Sequence, residues 1–285
     1  MKKKVYHFVA RARPGLAPLA QRDTALELWP LLRAEFQSNA LACVLMPNHL
    51  HLAVLTANPK LSRRRIGFAL RSFTRKLAPG RRIWARQPAL PLPTAQDKLG
   101  RLVRYIHLNP CRAGLTRDPW TWEFSTVREH SRSAMSPWVS DSLIEESTGR
   151  DARFWAEQHD RFLRVDSTVD AASVENNQSG ASFHELKRGQ LEDSIAALMN
   201  CRLTDLRLRG TSRDLLAHAL VTQVAKRDTQ CRTTLLQLSG DLGVCRKRLG
   251  LMKRKPLSER QMRAIGRHSG LIHNTQRPRN AQTRP

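Results

Sequence analysis

Two short segments of this sequence carry side chains that can do chemistry. The first is Met46-Pro47-Asn48-His49-Leu50-His51-Leu52. If a strand follows the Pro-Asn turn, alternate residues share a face, so His49 and His51 project together, about 7 Å apart, while Leu50 and Leu52 face the core. Two imidazoles so placed can share one divalent metal. A surface or core pair of histidines without metal has the same spacing. The second segment is Leu102-Val103-Arg104-Tyr105-Ile106-His107-Leu108-Asn109-Pro110. On a helix Tyr105 and Asn109 are four apart and share a face. Tyr105 is one of 2 tyrosines, and is either a core or surface aromatic or a nucleophile. A phenol with an ordinary pKa of about 10 needs help from a metal or a base to attack at neutral pH. Asn109 could give such a metal a neutral oxygen ligand. Pro110 cannot donate to the carbonyl of Ile106, which either loosens the helix beside Asn109 or marks its end. Clustered carboxylates of the kind a two-metal nuclease needs are missing, since Asp97 is the one acid within ten residues of His49, His51 or Tyr105.

The elements that must position these groups are readable from periodicity. Val5 to Ala10 reads as a strand, with a turn at Pro14-Gly15. Thr24 to Gln37 reads as a helix with Leu26, Leu28, Trp29, Leu32 and Phe36 as its apolar stripe. Leu41 to Leu45 and His49 to Thr56 read as strands. Ser62 is a candidate cap for a helix reaching Leu77, with Ile66, Leu70, Phe73 and Leu77 on one face. Residues 87–94 hold three prolines and read as a loop, with a short strand placed near Ile83-Trp84. From about Asp97 a helix runs through Leu99, Leu102, Val103 and Ile106. Strand, helix, strand, strand, helix and a further helix make an α+β sheet domain.

The segments MPNHLHL and YIHLNPCRAGL, in this order and separation, resemble the single-tyrosine HUH transposases, and specifically the REP-associated tyrosine transposases. YHFVARA near the start, RRIWARQ around Trp84 and WTWEFST after the second motif are similar to that family as well. The resemblance covers residues 3–130. It departs from the family at Cys111, where valine is usual, at Ser125-Thr126, where a Ser-Ser pair is usual, and in the proline-rich loop at 87–94. The resemblance implies a ferredoxin-like antiparallel sheet with the histidines on a central strand. It implies that His49 and His51 bind a divalent metal, Mg2+ or Mn2+, that Asn109 completes the metal site, and that Tyr105 is the nucleophile. The implied substrate is single-stranded DNA, often folded as a hairpin, cleaved and rejoined through a 5′-phosphotyrosine. Some relatives of the wider class exchange catalytic helices between subunits, so a homodimer is among the expectations. A domesticated DNA-binding protein that no longer cuts, and a metal-dependent endonuclease, are the alternatives.

The charge fits a polyanionic partner. The 285 residues carry 49 Lys+Arg against 24 Asp+Glu, a formal net charge of +25. Residues 1–130 are net +16, residues 131–200 net −5 and residues 201–285 net +14. The expected organisation is therefore a catalytic domain at 1–130, a connecting region and linker at 131–185, a helical DNA-binding domain at 186–270 and a disordered basic tail at 271–285. Asp166 to Ser182 reads as the linker itself. Arg63, Arg64, Arg65, Arg71, Arg75 and Lys76 share one helix and could track a phosphate backbone. Arg104 and Arg112 flank the tyrosine segment and could meet phosphate. Trp84 reads as a core residue before a base-stacking one, and His7 and His107 read as structural.

In the second basic block, Thr233 to Lys255 has the apolar spacing of a small helix-turn-helix, with Gly243 at the tight turn. Its second helix, about Arg246 to Lys253, would place Arg246, Lys247 and Arg248 in a duplex major groove. Helices at Leu191–Met199 and Asp214–Ala225 complete a small all-α domain. No run approaches the roughly 18 apolar residues of a membrane span, and nothing behind the Met-Lys-Lys-Lys start looks like a signal peptide. Five cysteines without a CxxC pair read as reduced thiols, so the expected location is the cytoplasm.

Overall fold

One strand of this chain is apolar on both sides, and the sheet of the first unit includes it. The computed structural model describes residues 2–85, 90–131, 134, 137–169, 183, 184, 186–208, 210–227 and 231–267. The chain divides into two units, Met1–Ala171 and Ala172–Pro285. In the first, β1 (Lys4–Arg11), β2 (Ala40–Met46), β3 (His49–Thr56) and the two-residue β4 (Pro93–Thr94) form one sheet in the order β2-β3-β1-β4. All of its pairings are antiparallel. Strand β2 is buried along its whole length, which is why its sequence ALACVLM shows no polar alternation. The loop expected at 87–94 ends in a strand instead. Pro93 and Thr94 pair with Tyr6 and Val5 at the sheet edge, a place where proline is tolerated. Residues 86–89 lie outside the described residues.

One face of the sheet is covered by α1 (Arg22–Phe36) and α2 (Pro59–Leu77). Phe8, Leu50, Leu52 and Val54 from the strands meet Leu28, Leu32 and Phe36 of α1 and Ile66, Leu70 and Phe73 of α2 in one core. The cap of α2 is Asn58, whose side chain accepts from Leu61 N at 3.0 Å, with Pro59 following it at the first helical position. Ser62, expected to be the cap, is buried inside the helix, and Leu77 is exposed at its end. On the other face lies α3 (Leu99–Arg112), with Leu99, Val103 and Ile106 packed on Val5, Val44, Ala53 and Leu55.

Three short helices complete this second layer: α4 (Val127–His130), α5 (Asp141–Thr148) and α6 (Ala152–Arg164). Leu143, Ile144 and Trp155 join the α3 core, so the packed unit continues past residue 130 into the stretch expected to be a connection. Ahead of α4, residues 122–126 lie along the outer edge of β2. Leu45 N donates to Phe124 O at 2.9 Å, Thr126 N to Cys43 O at 3.0 Å, and the Trp122 indole to Leu45 O at 2.8 Å. The WTWEFST run thus covers an edge that would otherwise present unpaired backbone. Arg22 at the start of α1 clamps the same run through a two-pronged pair with the buried carboxylate of Glu123, at 2.7 Å on each prong.

The second unit is helical where described: α7 (Arg188–Met199), α8 (Thr211–Arg227), α9 (Cys231–Leu242), α10 (Arg246–Arg254) and α11 (Glu259–Arg267). Gly243 joins α9 to α10 with φ of 60°, a left-handed conformation that glycine adopts without strain. Leu238, Leu242, Val244 and Leu249 are buried around that turn. The linker from residue 170 to 182 and the tail from 268 onward lie outside the described residues.

Behind α3 sit three buried histidines. His107 Nδ1 meets His159 Nε2 at 2.8 Å, and His107 Nε2 meets Thr126 Oγ1 at 3.0 Å. The Trp155 indole donates to His130 Nδ1 at 2.8 Å, so His130 Nε2 carries the proton that it donates to Leu41 O at 2.7 Å. Burial pushes His130 down from 6.5 to about 4, against the opposing pull of the Leu41 carbonyl. Burial, reinforced by the neighbouring imidazoles, also lowers His107 and His159. These rings stay neutral in the folded chain while the unfolded chain takes up protons near the ordinary value, so stability is lost as pH falls. All six tryptophans lie between residues 29 and 155 and report on this unit. The urea midpoint followed by tryptophan fluorescence is expected to drop progressively between the ordinary value of 6.5 and about 4. His159→Gln should make that drop shallower, and an unchanged pH slope would contradict this account.

Candidate active site

Antiparallel pairing of the central strands sets the site. Val9 stands opposite His51 and Arg11 opposite His49, so His7, Val9 and Arg11 share a face with both histidines of β3. That is the face α3 covers. Ring centroids of His49 and His51 are 5.0 Å apart, and the ring of Tyr105, from α3, lies 5.5 Å from that of His51. Both β3 histidines and the tyrosine come from one chain. Tyr105 is 39% exposed, whereas His51 is 1% exposed. A reachable phenol therefore sits against a nearly sealed imidazole.

His7 belongs to the same cluster, although its position in the sequence suggested a structural role. Its ring stacks on His51 at 5.1 Å and lies 6.1 Å from Tyr105. His7 Nε2 and His51 Nδ1 are 2.9 Å apart, a hydrogen bond. The other nitrogen of His51, Nε2, is buried with no hydrogen-bond partner. A buried N–H without an acceptor is costlier than a buried lone pair without a donor. The proton of His51 therefore sits on Nδ1 and is donated to His7, and Nε2 presents a lone pair. Burial lowers His51 to about 3, with His7, His49 and Arg11 adding to the effect, and lowers His7 to about 4. Burial and Arg11 lower His49 to about 4. All three rings are neutral at physiological pH, the state in which an imidazole can ligate a cation.

The remaining ring contacts are equally specific. Asn48 Oδ1 lies 2.7 Å from His49 Nδ1 and orients that ring from the turn before β3. In α3, Pro110 does not end the helix, which continues to Arg112. The side-chain amide of Asn109 instead donates to Tyr105 O at 2.8 Å and to Ile106 O at 3.4 Å, so the carbonyl that Pro110 leaves bare gains a weak donor. These bonds engage the amide nitrogen, so Oδ1 is the atom of Asn109 that could ligate a cation. Two neutral imidazoles and an amide oxygen suit a divalent cation that takes its other ligands from water or phosphate. His7 does not add a third imidazole, because its Nε2 is engaged with His51. Among the described residues no group of three or more His, Cys, Asp or Glu side chains is disposed to hold a metal by itself.

Arg104 and Arg112 both reach Asp166, at 3.2 and 3.1 Å, and Arg112 also lies over the Tyr105 ring at 5.6 Å. Burial alone would raise the Asp166 carboxyl. Hydrogen bonds from Thr168 and the pairing with Arg112 outweigh it and hold the group below its usual range. Asp166, read as the start of a linker, is thus fixed beside the tyrosine helix. Cys111 is buried and burial pushes its thiol up to about 12, so it packs as a small apolar group.

The basic residues of α2 are elsewhere. Their helix packs on the opposite face of the sheet from His49, His51 and Tyr105. Arg65 pairs with Glu35 at 2.9 Å and lies over Phe36, and Lys76 pairs with Glu27. Arg63, Arg64, Arg71 and Arg75 are exposed and make no ion pair among the described residues. In the second unit Arg246, Lys247 and Arg248 are exposed on α10, with Arg248 paired to Asp214 at 2.6 Å.

No family model matches the chain, and no curated protein matches it. Among solved structures, a REP-associated tyrosine transposase bound to a REP hairpin is similar over 50% of this chain and 88% of that one. The identity is 20% and the TM-score 0.38. At that score the functional reading rests on the site's own geometry. No helix among the described residues is long and apolar enough to cross a membrane.

The proton assignment in the His7–His51 pair can be read directly. Imidazole 15N spectra should show His51 protonated at Nδ1, with slow exchange of that proton. His7→Phe should remove the exchange protection while leaving the His49 signals nearly unmoved. Protonation of His51 at Nε2 would overturn the assignment.

Proposed function

We propose that the protein is a transposase, a metal-dependent DNA strand transferase that cleaves and rejoins single-stranded or hairpin DNA with Tyr105 as nucleophile. The observation that carries this reading is the meeting of an exposed phenol with two neutral, partly sealed imidazoles brought from elements about fifty residues apart in sequence. The β-α-β-β-α-β order and antiparallel sheet support the ferredoxin-like frame expected for such a site.

In this reading His49 Nε2, His51 Nε2 and Asn109 Oδ1 hold Mg2+ or Mn2+, which would polarise the scissile phosphate when bound. The residues of the chain do the rest. His7 fixes the ring of His51 through Nδ1, and Asn48 fixes that of His49, the outer hydrogen bonds that ligating histidines ordinarily require. Tyr105 Oη attacks phosphorus and the bond to the 3′ oxygen breaks. The phenolic proton ends on the released 3′ hydroxyl, and a 5′-phosphotyrosine remains. Because the phosphodiester is exchanged for a phosphotyrosyl ester of similar energy, rejoining needs no nucleotide cofactor. Arg104 and Arg112, on the same helix as the nucleophile, would meet the backbone phosphates beside it.

The second unit supports duplex binding as a separate task. Its α9–Gly243–α10 geometry and the exposed Arg246 and Lys247 fit a recognition helix, with Arg248 shared with Asp214.

Purified protein with Mg2+ or Mn2+ should form a covalent adduct with the 5′ side of a cleaved hairpin oligonucleotide, and EDTA should stop it. Tyr105→Phe should abolish the adduct and leave binding within about twofold. Intact DNA under all conditions would favour a binding protein that does not cut, and a free 5′ phosphate would favour a hydrolytic nuclease.

Replacing Arg246 and Lys247 by Ala should weaken duplex binding. The slope of log affinity against log salt should fall by about 1.8, on the order of 0.9 per lost phosphate contact. Adduct formation should be unchanged. Equal loss of both would join the two tasks in one surface.

A further inference from the structure

A groove of about 450 Å3 lies between the outer side of α2 and residues 80–84, lined by Phe68, Arg71, Arg75, Arg81, Arg82 and Trp84 among others. It is remote from the histidines, because α2 covers the other face of the sheet. Its composition is unusual for a solvated helix surface. Phe68 is 52% exposed and lies outside the buried stripe of Ile66, Ala69, Leu70 and Phe73. Four guanidinium groups surround it, and none makes an ion pair among the described residues. Arg75 has only a long contact, at 3.5 Å, to the hydroxyl of Ser72. Trp84 packs its ring near Phe73 at 6.1 Å, yet its indole Nε1 is buried without a hydrogen-bond partner.

We infer that this groove binds one unpaired nucleotide of the DNA strand that the protein processes, with its base against Phe68 and its phosphates on the arginines. The inference rests on the single-strand reading of the function and names a part of the substrate that reading leaves open. An aromatic face flanked by free guanidiniums is the recurrent platform for single strands, because every base has a π-face and every linkage a charge. The volume falls within the range of small-ligand sites. It takes a base only when that base is unstacked and unpaired, which excludes duplex.

The route to Tyr105 is short in topological terms. Trp84 bridges Ala12, Arg13 N donates to Ile83 O at 2.9 Å and Ala85 N donates to Arg11 O at 2.9 Å. Residues 83–85 therefore extend the sheet beside the end of β1, and Arg11 there stands opposite His49. A strand leaving the groove rounds this edge and arrives on the histidine face.

The test uses the full chain carrying Tyr105→Phe, so that binding is measured without cleavage, and a fluorescent hairpin oligonucleotide with an unpaired flank. Adding Phe68→Ala should weaken binding about 5- to 100-fold, the range for losing one stacked base. Arg71→Ala with Arg75→Ala should lower the salt slope by about 1.4. Trimming the unpaired flank should erase the effect of Phe68→Ala. A photoreactive iodouracil walked along the flank should cross-link to Phe68 or Trp84 from one position. Because Phe68 is exposed, its replacement should leave the thermal midpoint unchanged, which separates lost contact from lost folding. Unchanged affinity of the Phe68→Ala protein, or equal weakening with the flank removed, overturns the inference. Adduct formation at an intact Tyr105 is scored separately. An adduct without Phe68 dependence sinks the groove alone, and Phe68 dependence without an adduct sinks the strand transferase reading alone.

Discussion

The site depends on one hydrogen bond between two desolvated imidazoles. His7 and His51 come from neighbouring strands, and their contact exists because β1 and β3 pair in one register. A slip of β1 by one residue would send His7 to the α1 and α2 side and bring Phe8 to the helix that bears the tyrosine, and a slip of β3 would do the same to His49 and His51, exchanging them for Leu50 and Leu52. The large apolar side chains on the α1 and α2 side forbid either slip. The packing of Phe8, Leu50 and Leu52 is therefore what aims the histidines, although their side chains lie on the opposite face of the sheet.

Tyr105 is held in a similarly indirect way. Tyr105 itself is exposed, but the helix behind it is fixed by buried groups. His107, two positions later, bonds both His159 on α6 and Thr126 on the run that edges β2. Thr126 in turn accepts from Cys43 N at 2.8 Å, so the helix of the phenol is tied to the backbone of an interior strand. Polar groups buried at this density are stable only when their partners are all present, and such networks favour a single arrangement. A mobile phenol would spread the distance to the imidazoles, while one whose helix is pinned keeps it narrow.

Much of this was legible in the chain. The alternation in His49-Leu50-His51-Leu52 gave the face of each residue, and the spacing of Leu99, Val103 and Ile106 gave the buried side of the tyrosine helix. Less legible were features set by pairing between distant segments. His7 sits in a strand whose partner and register no local pattern states, and nothing near it marks it as a neighbour of His51. Ser62 looked like a cap, yet Asn58 followed by proline satisfies the helix start four residues earlier and leaves Ser62 to the interior. The arginines of α2 looked like one phosphate-binding set because they share a helix. The carboxylates of Glu35 and Glu27, brought in by α1, divide them. Asp166 looked like the first residue of a flexible stretch because its neighbours are small and polar, and it is instead fixed by two guanidiniums from another helix.

That last arrangement has a consequence for how an anion would be received. Arg104 and Arg112 repel one another, and a bare pair would swing apart and hydrate separately. Asp166 keeps both convergent on one carboxylate oxygen, beside the helix that carries the phenol. Under the proposed function an incoming phosphodiester would meet a receptor already assembled, and its arrival would exchange one anion for another with little rearrangement of the receptor. The carboxylate would then act as a placeholder, its own affinity for the two guanidiniums setting the threshold that a competing anion has to exceed.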